Sequence, residues 1–246
     1  MGSMLKLRYT EFINRPIVQE IEQSLNALSS TSSGIQNYPL KEYFLKSLFL
    51  NLTGSQEQKL RCICWDLATV DNKFRYSLLR NDLNFHEYSN IEDKKKVFSQ
   101  LCRMIATISA GNIDDVYSSI DRAHIAKESK DEIISILDKS ILCYWSEQEF
   151  KMLKNDNRLF KDTHFAQSTL LETTLAEVYE KLYEHRNRCA HNLMSYQENT
   201  PTMHSLKGKD RLTENYFTWF ALLNLIDKVF IVLYNRFFNE YEAIMY

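Results

Sequence analysis

Apolar residues recur along this chain at helical rather than alternating spacing for almost its whole length. Ile17, Ile21, Leu25 and Leu28 fall on one helix face, and Pro16 suits the first helical position, where its missing amide donor is not needed. The polar run 29–34, "SSTSSG", ends that pattern and is the best linker candidate. Beyond it the spacing predicts a helix over about 40–52 and a longer one over about 56–82, carried by Leu60, Ile63, Leu67, Val70, Phe74 and Leu78.

Further helices are expected at about 91–109, 113–127 and 130–145, the last opened by Ser129 and Glu132 at the spacing of a capping box. Ser146 with Glu149 repeats that signal, and Thr169 with Glu172 gives it again ahead of a helix running to about 194. The stretch 155–167 is polar and irregular. A loop over about 195–212, containing Pro201 and Gly208, precedes a final helix over about 213–240. No repeat with a period of about 20–50 residues is visible.

Composition sharpens this into a fold class. Five glycines and three prolines in 246 residues leave few turns and long helices, so the chain reads as all-α. The length suits one large domain or a core with a helical extension. The expected division is an N-terminal helix and polar linker over 1–34, then a helical bundle over 35–246.

A formal charge of −2 gives no global attraction to nucleic acid, so any phosphate recognition must be local. Five scattered cysteines, mostly within apolar helical pattern, suit reduced thiols in a cytosol. No signal-peptide pattern follows the start, so a cytoplasmic location is expected. The segment 216–234 is nearly long enough to span a bilayer, but Asn224, Asp227 and Lys228 sit at its centre. A buried or interface helix is the better reading, with no membrane partner. Cys62 and Cys64 are too closely spaced for a zinc knuckle, and no phosphate-binding glycine loop, serine-hydrolase elbow or zinc-protease motif occurs. No cofactor is expected.

The chemistry concentrates in residues 183–192, "YEHRNRCAHN". On a helix, Leu171, Leu175, Val178, Leu182, Cys189 and Leu193 form one apolar stripe, and Arg186 lands on it. A guanidinium among apolar neighbours needs an anionic or strongly accepting partner, since desolvating an unpaired charge costs several kcal/mol. Asn187 and His191, four residues apart, share a side of the helix beside it. An arginine that can fork onto phosphate oxygens, an imidazole that can move a proton and an orienting amide are parts that metal-free phosphoryl transfer uses. The competing reading is that Arg186, Arg188 and His191 complement the negative end of the helix dipole on a solvated face.

"RNRCAH", Arg186 to His191, resembles the R-x(4 to 6)-H signature of the HEPN superfamily in its form with Asn after Arg and Ala before His. Twelve Arg and six His give about one chance match to the loose pattern, and the chain holds three, the others being Arg80 to His86 and Arg158 to His164. The stricter R-N-x-x-x-H form, expected by chance about 0.02 times, is met once. The resemblance implies an up-and-down helical bundle with its core over roughly 112–246, additional N-terminal helices, and a homodimer with a composite site.

It also implies a metal-independent endoribonuclease, such as a toxin or phage-defence effector, with RNA as substrate and an antitoxin or other regulatory protein as a further partner. Arg186, Asn187 and His191 would be catalytic. Tyr183, His185 and Arg188 are candidate RNA contacts by stacking or phosphate pairing, with plain surface or core as the alternative for each, and Lys207, Lys209 and Arg211 form a small basic loop that either reaches the backbone or is simply solvated. The alternative is a non-catalytic HEPN-like module for dimerisation and nucleotide or protein binding.

Overall fold

A computed structural model describes residues 7–28, 38–83, 85, 88–138, 140–155, 158–161, 164–165, 169–191 and 214–245, without the side chains of Tyr38, Pro39, Lys41, Trp145, His191 and Met245. The chain is all-α, with no strand among the described residues. The helices among the described residues are α1 (Thr10–Asn14), α2 (Ile17–Leu28), α3 (Tyr38–Val70), α4 (Asn72–Leu79), α5 (Ile91–Ile108), α6 (Ile113–Ser118), α7 (Arg122–Leu137), α8 (Ile141–Trp145), α9 (Glu147–Asn155), α10 (Thr173–His191) and α11 (Tyr216–Met245).

Several boundaries differ from the sequence expectation: the helix expected over 113–127 stops at Ser118, the one expected over 130–145 is divided between α7 and α8, and others differ as follows. The break expected near residue 54 is absent and α3 runs through Gly54. A mid-helix glycine costs only about 1 kcal/mol relative to alanine. Flanking it, Leu52 and Leu60 are buried, Thr53 Oγ1 donates back to the Phe49 carbonyl at 3.0 Å, and Ser55 Oγ reaches Glu20 Oε1 at 2.8 Å. The helix ends instead at Asp71, whose extended backbone and side-chain bond to the Lys73 amide at 2.8 Å start α4. Arg75 Nε donates to the Ala68 carbonyl at 2.7 Å, satisfying an acceptor at the end of α3.

Ser129 does not cap a helix either. It is buried inside α7, which begins seven residues earlier at Arg122 with Asp121 accepting from the His124 amide at 2.9 Å. Asp, like Ser, is a strong N-cap, and tertiary burial of Ile125, Ala126 and Ile133 decided which one served. Likewise Thr169 lies ahead of α10: its carbonyl accepts from Arg122 Nη1, while Ala176 donates to the Glu172 carbonyl. Ser146 does precede α9 as expected, and Asn215 caps α11 through the Thr218 amide at 2.8 Å.

α11 is the axis of the molecule, packed against α7 and α5 most extensively and against α3, α9, α10, α2 and α1 as well. By length and composition it could cross a membrane, yet 78% of its most apolar window is buried inside the bundle. Its central polar residues have protein partners. Asn224 Nδ2 donates to Glu132 Oε2 at 2.8 Å, and Lys228 Nζ bridges Glu128 at 2.8 Å and Glu132 at 2.9 Å.

Asp227 accepts from Lys59 at 2.7 Å and from the Ile17 amide at 3.0 Å, which ties the start of α2 to α3 and α11. Asp66 does similar work at α1, accepting from the Tyr234 hydroxyl at 2.6 Å and the Arg8 amide at 3.3 Å. Ile13, Ile17 and Ile21 accordingly belong to the same hydrophobic cluster as the α5, α7 and α11 core. The proposed linker, 29–34, lies outside the described residues.

Candidate functional site

The stripe on α10 is present in the fold: Leu171, just ahead of the helix, and Leu175, Val178, Leu182 and Cys189 are all buried, at 5% exposure or less. Leu193 lies outside the described residues. Arg186 follows this stripe inward, keeping 19% of its side chain exposed. The partner its position demands is Glu57 of α3, 129 residues away in sequence, whose Oε1 accepts from Arg186 Nη2 at 2.9 Å. Arg186 Nη1 donates to Asn187 Oδ1 at 3.0 Å. Two neighbours from different directions therefore fix the guanidinium plane.

A third charge joins them from α5. Lys94 is 1% exposed, donates to the Tyr88 carbonyl at 3.1 Å and stands 5.4 Å from the centre of the Tyr179 ring. Burial pushes its ammonium down to about 7, against the opposing pull of Glu57, Asp227 and Asp93 and with a push from Arg186. Tyr179 is buried on α10 and donates to the Ser89 carbonyl at 2.7 Å; burial and the Glu57 charge hold its phenol well above the ordinary range. Glu57, Lys94 and Arg186 thus form one electrostatically coupled group drawn from α3, α5 and α10.

His191 is the last helical residue of α10, and helix register puts it one turn beyond Asn187. Its side chain lies outside the described residues, as do Lys207, Lys209 and Arg211, and His86 of the second loose match. Tyr183 is half-buried and packs on the core. Arg188 is exposed, 4.0 Å from Glu184 Oε2 on the same helix, a separation at which surface pairs contribute little.

His185 points into an aromatic niche. Its ring centre lies 4.8 Å from that of Trp219, 5.4 Å from Tyr216 and 5.6 Å from Phe49. Nε2 is 2.8 Å from the Tyr216 hydroxyl and 3.3 Å from Cys189 Sγ. Burial pushes the imidazole down to about 4, with Arg188 and Lys46 adding to the shift, so it is neutral at physiological pH. The niche anchors α10 to α11 directly beneath the motif.

Glu57 and Lys94 were not singled out from the sequence, although a signal exists. Glu57 stands four residues after Thr53 and three before Leu60, and Lys94 three after Ile91 and three before Val97, all of them buried positions. Charges at stripe positions are the same anomaly that marks Arg186; Glu57 meets it directly and Lys94 feels both charges.

No protein-family model, curated protein or solved structure matches this chain. The class that fold and site define is an all-α helical protein with a charged cluster beneath the end of α10.

Proposed function

We propose that the chain is a metal-independent endoribonuclease of HEPN type. The observation that carries this reading is the R-N-x-x-x-H run on the last turns of α10, with Arg186 held among buried residues yet partly open to solvent. In the proposed reaction a base, His191 in one protomer, takes the proton of a ribose 2'-hydroxyl. The 2'-oxygen bonds to the adjacent phosphorus, the bond to the 5'-oxygen breaks, and an acid returns a proton to that leaving oxygen. Arg186 holds the charge growing on the phosphate oxygens, and Asn187 orients Arg186. The products are a 2',3'-cyclic phosphate and a 5'-hydroxyl, and because the nucleophile is internal to the RNA the step requires no activated water. A homodimer would supply a second motif to one cleft. A toxin or defence effector of this kind needs restraint by a regulatory protein.

A second reading, a non-catalytic HEPN-like module for dimerisation and nucleotide or protein binding, is favoured by the Arg186–Glu57 pair. An ion pair inside the bundle is a sufficient structural reason for an arginine on an apolar stripe. RNA cleavage separates the two. The ribonuclease reading expects cyclic-phosphate ends from total RNA that disappear with His191→Ala in a folded protein; intact RNA after incubation with the wild type favours the module.

A further inference from the structure

We infer that Glu57 is the positioning residue of the Arg186 site, an inference that rests on the ribonuclease reading. A free arginine side chain samples many rotamers, and a phosphate-gripping arginine gains from having one of them fixed before substrate arrives. Glu57 supplies that constraint from the core side. Its side chain is 10% exposed against 19% for Arg186, so the acid is the more buried member of the pair. A phosphate arriving from solvent meets an arginine already braced at Nη2 by Glu57 and at Nη1 by Asn187.

Glu57 is itself held in place. It lies on the buried face of α3 between Thr53 and Leu60, in the middle of a 33-residue helix. The Lys94 ammonium, fixed by the Tyr88 carbonyl and the face of Tyr179, is coupled to it electrostatically. The brace itself joins two helices, α3 and α10, with Lys94 of α5 coupled to it. It also moderates the charge at the site: Glu57 offsets part of the Arg186 charge, so RNA affinity is exchanged for a fixed geometry.

Steady-state cleavage of an RNA oligonucleotide by the full chain, beside selective nitrogen-15 NMR of the arginine guanidinium groups, tests this. Glu57→Ala is expected to lower kcat about 100-fold, to lower KM because the opposing charge is gone, and to free the Arg186 guanidinium to rotate. Glu57→Gln keeps an acceptor oxygen without the charge, so it should restore most of kcat, lower KM and keep the guanidinium signal slow. Wild-type kcat in Glu57→Ala, or higher cleavage in both variants, would overturn the inference; the first would make Glu57 purely structural and the second a competitor of phosphate. If Glu57→Ala does not fold, a guanidinium as mobile in Glu57→Gln as in a surface arginine overturns it too. Absence of cleavage by wild type defeats the ribonuclease reading instead, and the NMR arm still decides whether Glu57 braces Arg186.

Discussion

Lys59 Nζ and Asp227 Oδ1, 168 positions apart in the chain, meet at 2.7 Å with side chains 5% and 1% exposed. The same Asp227 accepts from the Ile17 amide, so one carboxylate joins α2, α3 and α11. Removing one member leaves the other charged and buried. Asp227→Ala should therefore lose about 3–5 kcal/mol in urea unfolding, whereas the paired change Lys59→Met with Asp227→Leu should lose much less. A double variant as unstable as the single one would show that the Ile17 amide, and not the ion pair, dominates.

Arg186 obeys the same rule at a shallower site. Arg186→Ala strands the Glu57 carboxylate in the bundle and should cost about 1–3 kcal/mol, visible as a lower denaturant midpoint with a folded baseline retained. Restoration of that midpoint by adding Glu57→Gln would assign the loss to the stranded charge. A midpoint equal to wild type would show that the pair contributes nothing.

Lys94 gives a pH signature. Its folded-state ammonium is pushed down to about 7 from 10.5, so between those values the unfolded chain holds a proton that the native chain has released. Stability then rises with pH from about 7 upward. The buried thiols Cys64 and Cys102, pushed up to about 12 from 9.0, act in the opposite sense above pH 9, since the native chain keeps protons the unfolded chain loses. The rise due to Lys94 should be clearest between pH 7 and 9 and should vanish in Lys94→Met. An unchanged slope in that variant would contradict the assignment.

His185 acts on the acid side. With the imidazole pushed down to about 4 from 6.5, the unfolded chain takes up a proton first on acidification, and stability falls as pH drops from 6.5 toward 4. His185→Gln, which can still bond the Tyr216 hydroxyl, should flatten that limb. NMR titration of the His185 ring with a midpoint near 6.5 would overturn this reading of the niche.

Much of the all-α fold was legible because periodicity reports which face of a helix is buried, and α5, α10 and α11 were found within a few residues. Ser129 and Gly54 carry local signals for a start or a break, and in both cases burial of neighbouring apolar residues outweighed a preference of about 1 kcal/mol. Arg186 was legible as a charge needing a partner, but the partner lies 129 residues away on another helix, and no local spacing encodes such a meeting. Charged residues at stripe positions identify who must pair; which of them pair is decided by packing.

The most direct measurement is the chemistry of RNA ends after incubation with the purified full chain in the presence of EDTA, wild type beside His191→Ala. The account predicts 2',3'-cyclic phosphate and 5'-hydroxyl termini with the wild type and intact RNA with the variant, both proteins having the same helical content. Intact RNA with both, or equal cleavage by both, would contradict it.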